Sequence, residues 1–240
     1  MMKIFLINLD KNPNRLAASK AQLDALGVEF ERVRAVYGRD LTDIEKRHAV
    51  NRFRWWCAKG YRPRDGEIGV ALSQNGIYRR MVKEGVSAAC IFEDDVKFSL
   101  RLVEVLNAVS DFVDCTRPQV ILLTNFTKDR GDPQVPVIRA ISSDQCAAGY
   151  VITLPAARAI LKANEPIQVP CDNWSRWRRR GLIELYHALP TVCGQDDRVT
   201  FGSDIESGSV VRTKEMSIIG LFLFKLKRIV GIIIDRSLPL

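Results

Sequence analysis

Hydrophobic residues gather in short runs separated by longer amphipathic segments, and this alternation predicts an α/β fold. Lys3 to Leu9 is rich in Ile, Leu and Phe with little alternation, as befits a strand covered on both faces, and it closes in the polar step Asn8-Leu9-Asp10. Asn12 is a suitable N-cap and Pro13 a suitable first helical residue. The helix they predict carries Leu16, Leu23 and Leu26 on one side and stops at Gly27. Glu29 to Val36, with Phe30, Val33 and Val36, reads as a second strand. This βαβ opening lacks a G-x-G-x-x-G turn, which argues against an ordinary dinucleotide fold.

Residues 39–65 are charged and irregular. Ile68, Ala71, Leu72, Tyr78 and Val82 then recur at helical spacing, and Gly85 ends that helix. Gly66 and Gly69 in its first turn cost roughly 1 kcal/mol each relative to Ala, which suggests that something approaches the backbone closely there. Ala88 to Phe92 is a short buried strand. Leu100 to Phe112 is an amphipathic helix, Val120 to Thr124 a buried strand ending at Asn125, and Asp129 to Pro136 a loop. Cys146 to Thr153 reads as a strand of small residues, followed by a helix with Ala156, Ala159 and Ile160. Leu185 to Val192 returns as a strand.

The 240 residues, 47% hydrophobic and 27% charged, suffice for one substantial core. A net charge of +8 points to an anionic partner: a nucleotide or phosphate ligand, a nucleic acid or an acidic membrane surface. The six cysteines are scattered and form no C-x-x-C pair, and the apolar start is too short for a signal peptide. Reduced thiols in a cytoplasmic protein, without structural zinc, are expected.

The chemistry concentrates where the Ala88–Phe92 run ends in Glu93-Asp94-Asp95. Ligands of open α/β sheets bind beyond the carboxyl ends of the strands. Three adjacent carboxylates repel one another, and a divalent cation removes that cost because hard cations take carboxylate oxygens. The competing reading is an acidic first turn of a helix. A second cluster, Arg52, Arg54, Trp55, Trp56, Lys59, Tyr61, Arg62 and Arg64, suits a sugar ring or a phosphate, or else is a solvated loop with two partly buried Trp.

Three blocks carry a resemblance. Ile7-Asn8-Leu9-Asp10 with Arg15, Gly66-Glu67-Ile68-Gly69 with Ala71-Leu72-Ser73, and Phe92-Glu93-Asp94-Asp95-Val96 together resemble glycosyltransferase family 25. Its members include bacterial transferases that extend lipooligosaccharide or capsule chains, with collagen galactosyltransferases as relatives. The likeness runs from residue 3 to about 205. Gln74 departs from it, standing where the family usually has His, so an acid–base role there is lost while a hydrogen bond survives.

The resemblance implies a GT-A-type nucleotide-diphosphosugar transferase fold, a Rossmann-like mixed sheet flanked by helices. It also implies a bound Mn2+ or Mg2+ that holds the donor's diphosphate. Asp95 is the first choice of metal ligand, and Glu93 lies on the metal, its water or the ribose. Asn8, Asp10, Arg15, Glu67, Gly69, Ser73 and Asp94 fall to the donor site, although Asp94 faces the other way if the segment stays extended. The Pro170-Cys171-Asp172 element supplies Asp172 as the base that deprotonates the acceptor hydroxyl; its alternative is a helix N-cap. Trp174, Trp177 and Arg178 form an acceptor wall, or two core Trp on a solvated basic helix. Gln195 and Ser203-Asp204-Ile205 resemble the family's last block, a lid.

Ile218 to Ile234 is too interrupted by Lys225, Lys227 and Arg228 to span a membrane but has a continuous apolar side, the pattern of a helix lying on an anionic leaflet; a docked core helix is the alternative. The expected organisation is a catalytic domain over 1–212 and a membrane-surface segment over 213–240. The expected function is metal-dependent, inverting transfer of a hexose from a UDP-sugar to a lipid-linked, cell-surface glycan, on the cytoplasmic face of the inner membrane. A catalytically degenerate sugar-nucleotide-binding protein is the first alternative. A nucleic-acid-binding protein is the second, and the acidic triplet at a buried strand end argues against a nucleic acid partner.

Overall fold

The structure is a computed structural model and describes residues 2–124, 133–142 and 146–195. The segment 213–240, the Ser203-Asp204-Ile205 block and Asn125 lie outside the described residues. Among the described residues, nine strands and seven helices follow in the order β1 (Lys3–Asn8), α1 (Pro13–Ala25), β2 (Glu31–Arg34), α2 (Asp43–Ala49), α3 (Arg52–Lys59), α4 (Asp65–Glu84), β3 (Ala88–Glu93), β4 (Val96–Phe98), α5 (Leu102–Phe112), β5 (Gln119–Leu122), β6 (Val137–Ala140), β7 (Gly149–Thr153), α6 (Leu154–Asn164), α7 (Trp174–Arg179), β8 (Glu184–Leu189) and β9 (Cys193–Gln195).

Seven strands form a mixed sheet in the order β2-β1-β3-β7-β5-β8-β6, and β4 pairs with β9 in a separate ribbon. β1, β2 and β3 are mutually parallel, as are β5 and β8, whereas β7 runs antiparallel between β3 and β5 and β6 runs antiparallel on the edge. Every strand except β6 and β7 therefore points its carboxyl end at the same margin of the sheet. Residues alternate strictly between its two faces. Phe5, Ile91, Tyr150 and Ile152 pack with α3, α4, α6 and α7, while Leu6, Cys90, Phe92 and Val151 pack with α1 and α5. Helices on both faces explain why these strands read as continuous apolar runs.

The chain between β2 and α4 is not irregular. Thr42 accepts a hydrogen bond from the Glu45 amide while the Glu45 carboxylate accepts from the Thr42 amide, a reciprocal cap that starts α2. Asn51 caps α3 through the Arg54 amide, and Gly60, in the left-handed region, ends it. α2 buries none of its residues, so it lacks the apolar stripe from which longer helices were recognised.

Gly69 in the first turns of α4 has an internal cause. A Cβ at Gly69 would lie 2.5 Å from the carbonyl oxygen of Val36, and one at Gly38 would strike the Asp65 carbonyl. What comes close to this turn is the protein's own backbone leaving β2. Ser73 closes the same junction, accepting from the Val36 amide at 2.8 Å and donating to the Gly69 carbonyl at 2.7 Å.

Candidate active site

β3 lies between parallel β1 and antiparallel β7, and its last residue, Glu93, sits in register with Ile7 near the end of β1. Asp94 and Asp95 form a turn, and β4 then leaves the main sheet to pair with β9, where Val96 faces Gln195. The acidic triplet is thus a strand end and a turn; no helix starts there.

The turn sends its carboxylates in two directions. Asp94 accepts from Asn8 Nδ2 at 2.6 Å, lies 3.5 Å from Arg15 Nη1, and its backbone carbonyl accepts from Ser19 Oγ. Asn8 is buried and fully engaged, since its amide also donates to the Asn12 carbonyl and its Oδ1 accepts from Arg32 Nε. Asp10 is exposed and pairs with Arg32 and Arg34. Asn8, Arg15 and Asp94, predicted to contact the donor, are brought together with one another, and they lock the acidic turn to β1 and α1. The reversal of Asp94 was expected of an extended segment, whereas Asp94 and Asp95 form a turn.

Glu93 turns to the other side. Its carboxyl is pushed up to about 8, first by burial and then by the charges of Asp95, Asp172 and Asp94. Asp172, just before α7, is also raised by burial, with Lys59 pulling the other way and Glu67 adding to the rise. Its side chain does not cap α7, where Asn173 holds the capping position. Glu67 takes the hydroxyl of Tyr61 at 2.6 Å and the Arg64 amide at 2.9 Å, so its carboxylate serves the start of α4. The Tyr61 hydroxyl is raised by burial, by Glu67 and, more weakly, by Asp172. Glu93, Asp95 and Asp172 therefore share one electrostatic neighbourhood at the carboxyl margin of the sheet, with Lys59, Tyr61 and Glu67 on its α3–α4 side. Sequence reasoning assigned no role in the site to Lys59 or Tyr61 individually; both lie in the aromatic, basic cluster it did single out.

Two predicted acceptor residues are corrected. Trp174 and Trp177 are fully buried; Trp174 donates from Nε1 to the Cys146 carbonyl at 2.9 Å, and its ring centroid lies 4.9 Å from that of Tyr150. Spacing of three places both on the inner face of α7, leaving Arg178 and Arg179 exposed. Neither ring is available to a sugar. Gln74 is completely buried, with Tyr78 hydroxyl 3.5 Å from its Oε1, and Tyr78 in turn bonds Tyr150. The polar bond at 74 survives the replacement of His only as a long contact inside the core.

A mixed α/β sheet with clustered carboxylates at the carboxyl ends of its parallel strands is the GT-A-type architecture of sugar-nucleotide transferases. The family model described as glycosyltransferase family 25 (LPS biosynthesis protein) matches residues 1–175, and the chain belongs to that family. Procollagen galactosyltransferase 1-A of Xenopus laevis is 26% identical over 184 residues, 72% of this chain and 30% of the relative. A glycosyltransferase 25 family member of Drosophila melanogaster is 29% identical over 190 residues, with the same shares. The inactive glycosyltransferase 25 family member 3 of Mus musculus is 27% identical over 187 residues, 72% of this chain and 31% of the relative. The chain spans about a third of the length of these relatives.

Proposed function

We propose that this protein is a metal-dependent inverting glycosyltransferase that moves a hexose, galactose or glucose, from a UDP-sugar to a cell-surface glycan such as lipooligosaccharide. The observation that supports the reading is the placement of Glu93 at the carboxyl end of β3, where it feels the charges of both Asp95 and Asp172. Family membership supports glycosyl transfer.

Asp95, with Glu93, holds Mn2+ or Mg2+ in this reading. Carboxylate oxygens suit such hard ions, and the mutual repulsion that raises Glu93 is what a cation relieves. Among the described residues no three His, Cys, Asp or Glu side chains gather closely enough to hold an ion by themselves. One or two carboxylates completed by substrate phosphates is the usual arrangement for Mg2+, so the pair fits. The ion, when bound, neutralises the charge that develops on the departing diphosphate. Asp172 accepts the proton of the acceptor hydroxyl as that oxygen attacks the anomeric carbon and the bond to the diphosphate breaks. Its raised affinity for protons makes it a better base than an exposed aspartate. The acceptor is lipid-linked and is met at an anionic membrane surface, on the cytoplasmic face of the inner membrane, a reading supported by the amphipathic pattern of 218–234. No helix among the described residues is long and apolar enough to cross a membrane.

Measuring UDP release from UDP-galactose and UDP-glucose, with Mn2+ and with chelator, tests the proposal. Asp95→Asn is expected to abolish Mn2+-dependent release with little loss of folding, and unchanged turnover overturns it. Asp172→Asn is expected to retain UDP binding and lose transfer; lost UDP binding would move Asp172 to the donor side. The second reading, a sugar-nucleotide-binding protein without catalysis, draws on the relatives named inactive in mouse and rat. It predicts UDP binding with no release under any condition.

A further inference from the structure

α3 carries two adjacent tryptophans with opposite fates. Trp55 is fully buried, whereas Trp56 is 41% and Phe53 63% exposed. With Arg52, Arg62 and Pro63 they line a groove of about 410 Å³. That volume is at the lower end of the roughly 300–1,000 Å³ typical of small-molecule sites. None of the salt bridges among the described residues engages Arg52 or Arg62. Two aromatic side chains with exposed surface thus share the groove with two arginines.

The groove is tied to the carboxylate site through the turn that follows α3. Lys59, the last residue of the helix, pulls the Asp172 carboxyl down. Tyr61, directly before Arg62, donates to Glu67 at 2.6 Å and feels the charge of Asp172. Arg64 stacks over the Tyr61 ring, 5.6 Å from its centroid. The segment 59–63 thus contributes one side of the Asp172 neighbourhood and one wall of the groove.

We propose that this groove is the acceptor subsite, and that it selects an acidic oligosaccharide, one whose sugar residues carry carboxylate or phosphate groups. The inference rests on the glycosyltransferase reading and replaces the buried Trp174 and Trp177 as the surface that meets the acceptor. The apolar C–H face of a pyranose packs on exposed rings such as Trp56 and Phe53, which lose little conformational freedom on binding. Guanidinium groups at Arg52 and Arg62 match carboxylate and phosphate oxygens with paired hydrogen bonds. An oligosaccharide is favoured over a lipid surface or a nucleic acid strand because the exposed rings and the two arginines line one short groove of about 410 Å³. A long anionic polymer or a leaflet needs a basic stripe that tracks many charges.

The test uses the full chain and calorimetric titration with five probes: trigalacturonate, its carboxyl-reduced neutral trisaccharide, a 6-phosphorylated mannotriose, phosphatidylglycerol vesicles and an octathymidylate. Trigalacturonate and the phosphorylated mannotriose are expected to bind at least roughly tenfold more tightly than the neutral trisaccharide. The double variant Arg52→Ala/Arg62→Ala is expected to lose that preference, and Trp56→Ala to weaken acidic and neutral sugars alike, while the UDP titration of both matches the wild type. Equal binding of acidic and neutral sugars, or undiminished acidic-sugar binding in both variants, overturns the proposal. So does displacement of trigalacturonate by the vesicles or the octathymidylate alone in a manner abolished by the same variants, which would give the groove to a membrane or a nucleic acid. Failure of UDP-sugar turnover would instead refute the transferase reading and leave the groove's sugar preference standing as a measured property.

Discussion

Asp172 and Glu93, distant in sequence, lie close enough in the fold for the Asp172 charge to disfavour that of Glu93, and Glu93, buried as well, takes up a proton far more readily than an ordinary glutamate. The consequence for stability has a definite sign. Glu93 is raised from 4.5 to about 8, so between those values the folded protein binds more protons than the unfolded chain. Stability contributed by neutral Glu93 is therefore full below about pH 4.5 and is lost as pH rises through about 8. In chelator, Glu93→Gln is expected to melt higher than the wild type at pH 8, with the gap closing by pH 5. Each kcal/mol corresponds to roughly 2–4 °C at this size. Adding Mn2+ should raise the wild type at pH 8 and not the variant. Thermal scans at the two pH values check this, and a gap independent of pH refutes it.

Asp94 is expected to behave as a structural residue although it sits in the middle of the acidic triplet. It is one of the acceptors that hold the buried Asn8 amide, and it is a carboxylate partner of the buried Arg15. Removing one member of a buried charge pair costs on the order of 3–5 kcal/mol, because the other is left behind. Asp94→Ala should lose about 3 kcal/mol in urea denaturation with an unchanged slope. Asp94→Asn keeps an oxygen for Asn8 and should lose less. If Asp94→Ala is as stable as the wild type yet no longer binds UDP, the donor role expected from sequence is restored.

The parts of this fold that were legible from sequence are those set by local signals. β1 and β3 are uninterrupted apolar runs because helices cover both faces, and α4 is bracketed by its acidic first turn and by Gly85 in the left-handed region. α2 and α3 escaped notice because seven and eight residues are too short a run to show apolar periodicity, although Thr42, Glu45, Asn51 and Gly60 are legible caps. β4 and β9 are three residues each and are defined only by pairing across the chain, which no local pattern encodes. The carboxylate site was legible as a strand end plus a family likeness. What sequence did not reveal is how Gly69 and Ser73 are used: their small size and hydroxyl serve the β2–α4 junction, a packing need indistinguishable in sequence from room for a ligand.

Trp174 and Trp177 supply the sharpest contrast between the two levels of reading. A helix of six residues does not stand by itself in water, so α7 holds its shape through these two buried rings. Trp174 begins two residues after Asp172 and is fixed by its bond to the Cys146 carbonyl and by contact with Tyr150. Trp177→Ala and Trp174→Ala are each expected to cost about 3–5 kcal/mol. Trp174→Phe keeps most of the ring and gives up the Nε1 bond, for about 1 kcal/mol. Because Trp174 fixes the segment that carries Asp172, Trp174→Phe should also lower the transfer rate more than it weakens UDP binding. Chemical denaturation and UDP titration on the three variants measure both effects. Alanine variants that stay as stable as the wild type and lose only acceptor affinity would return both rings to the acceptor surface.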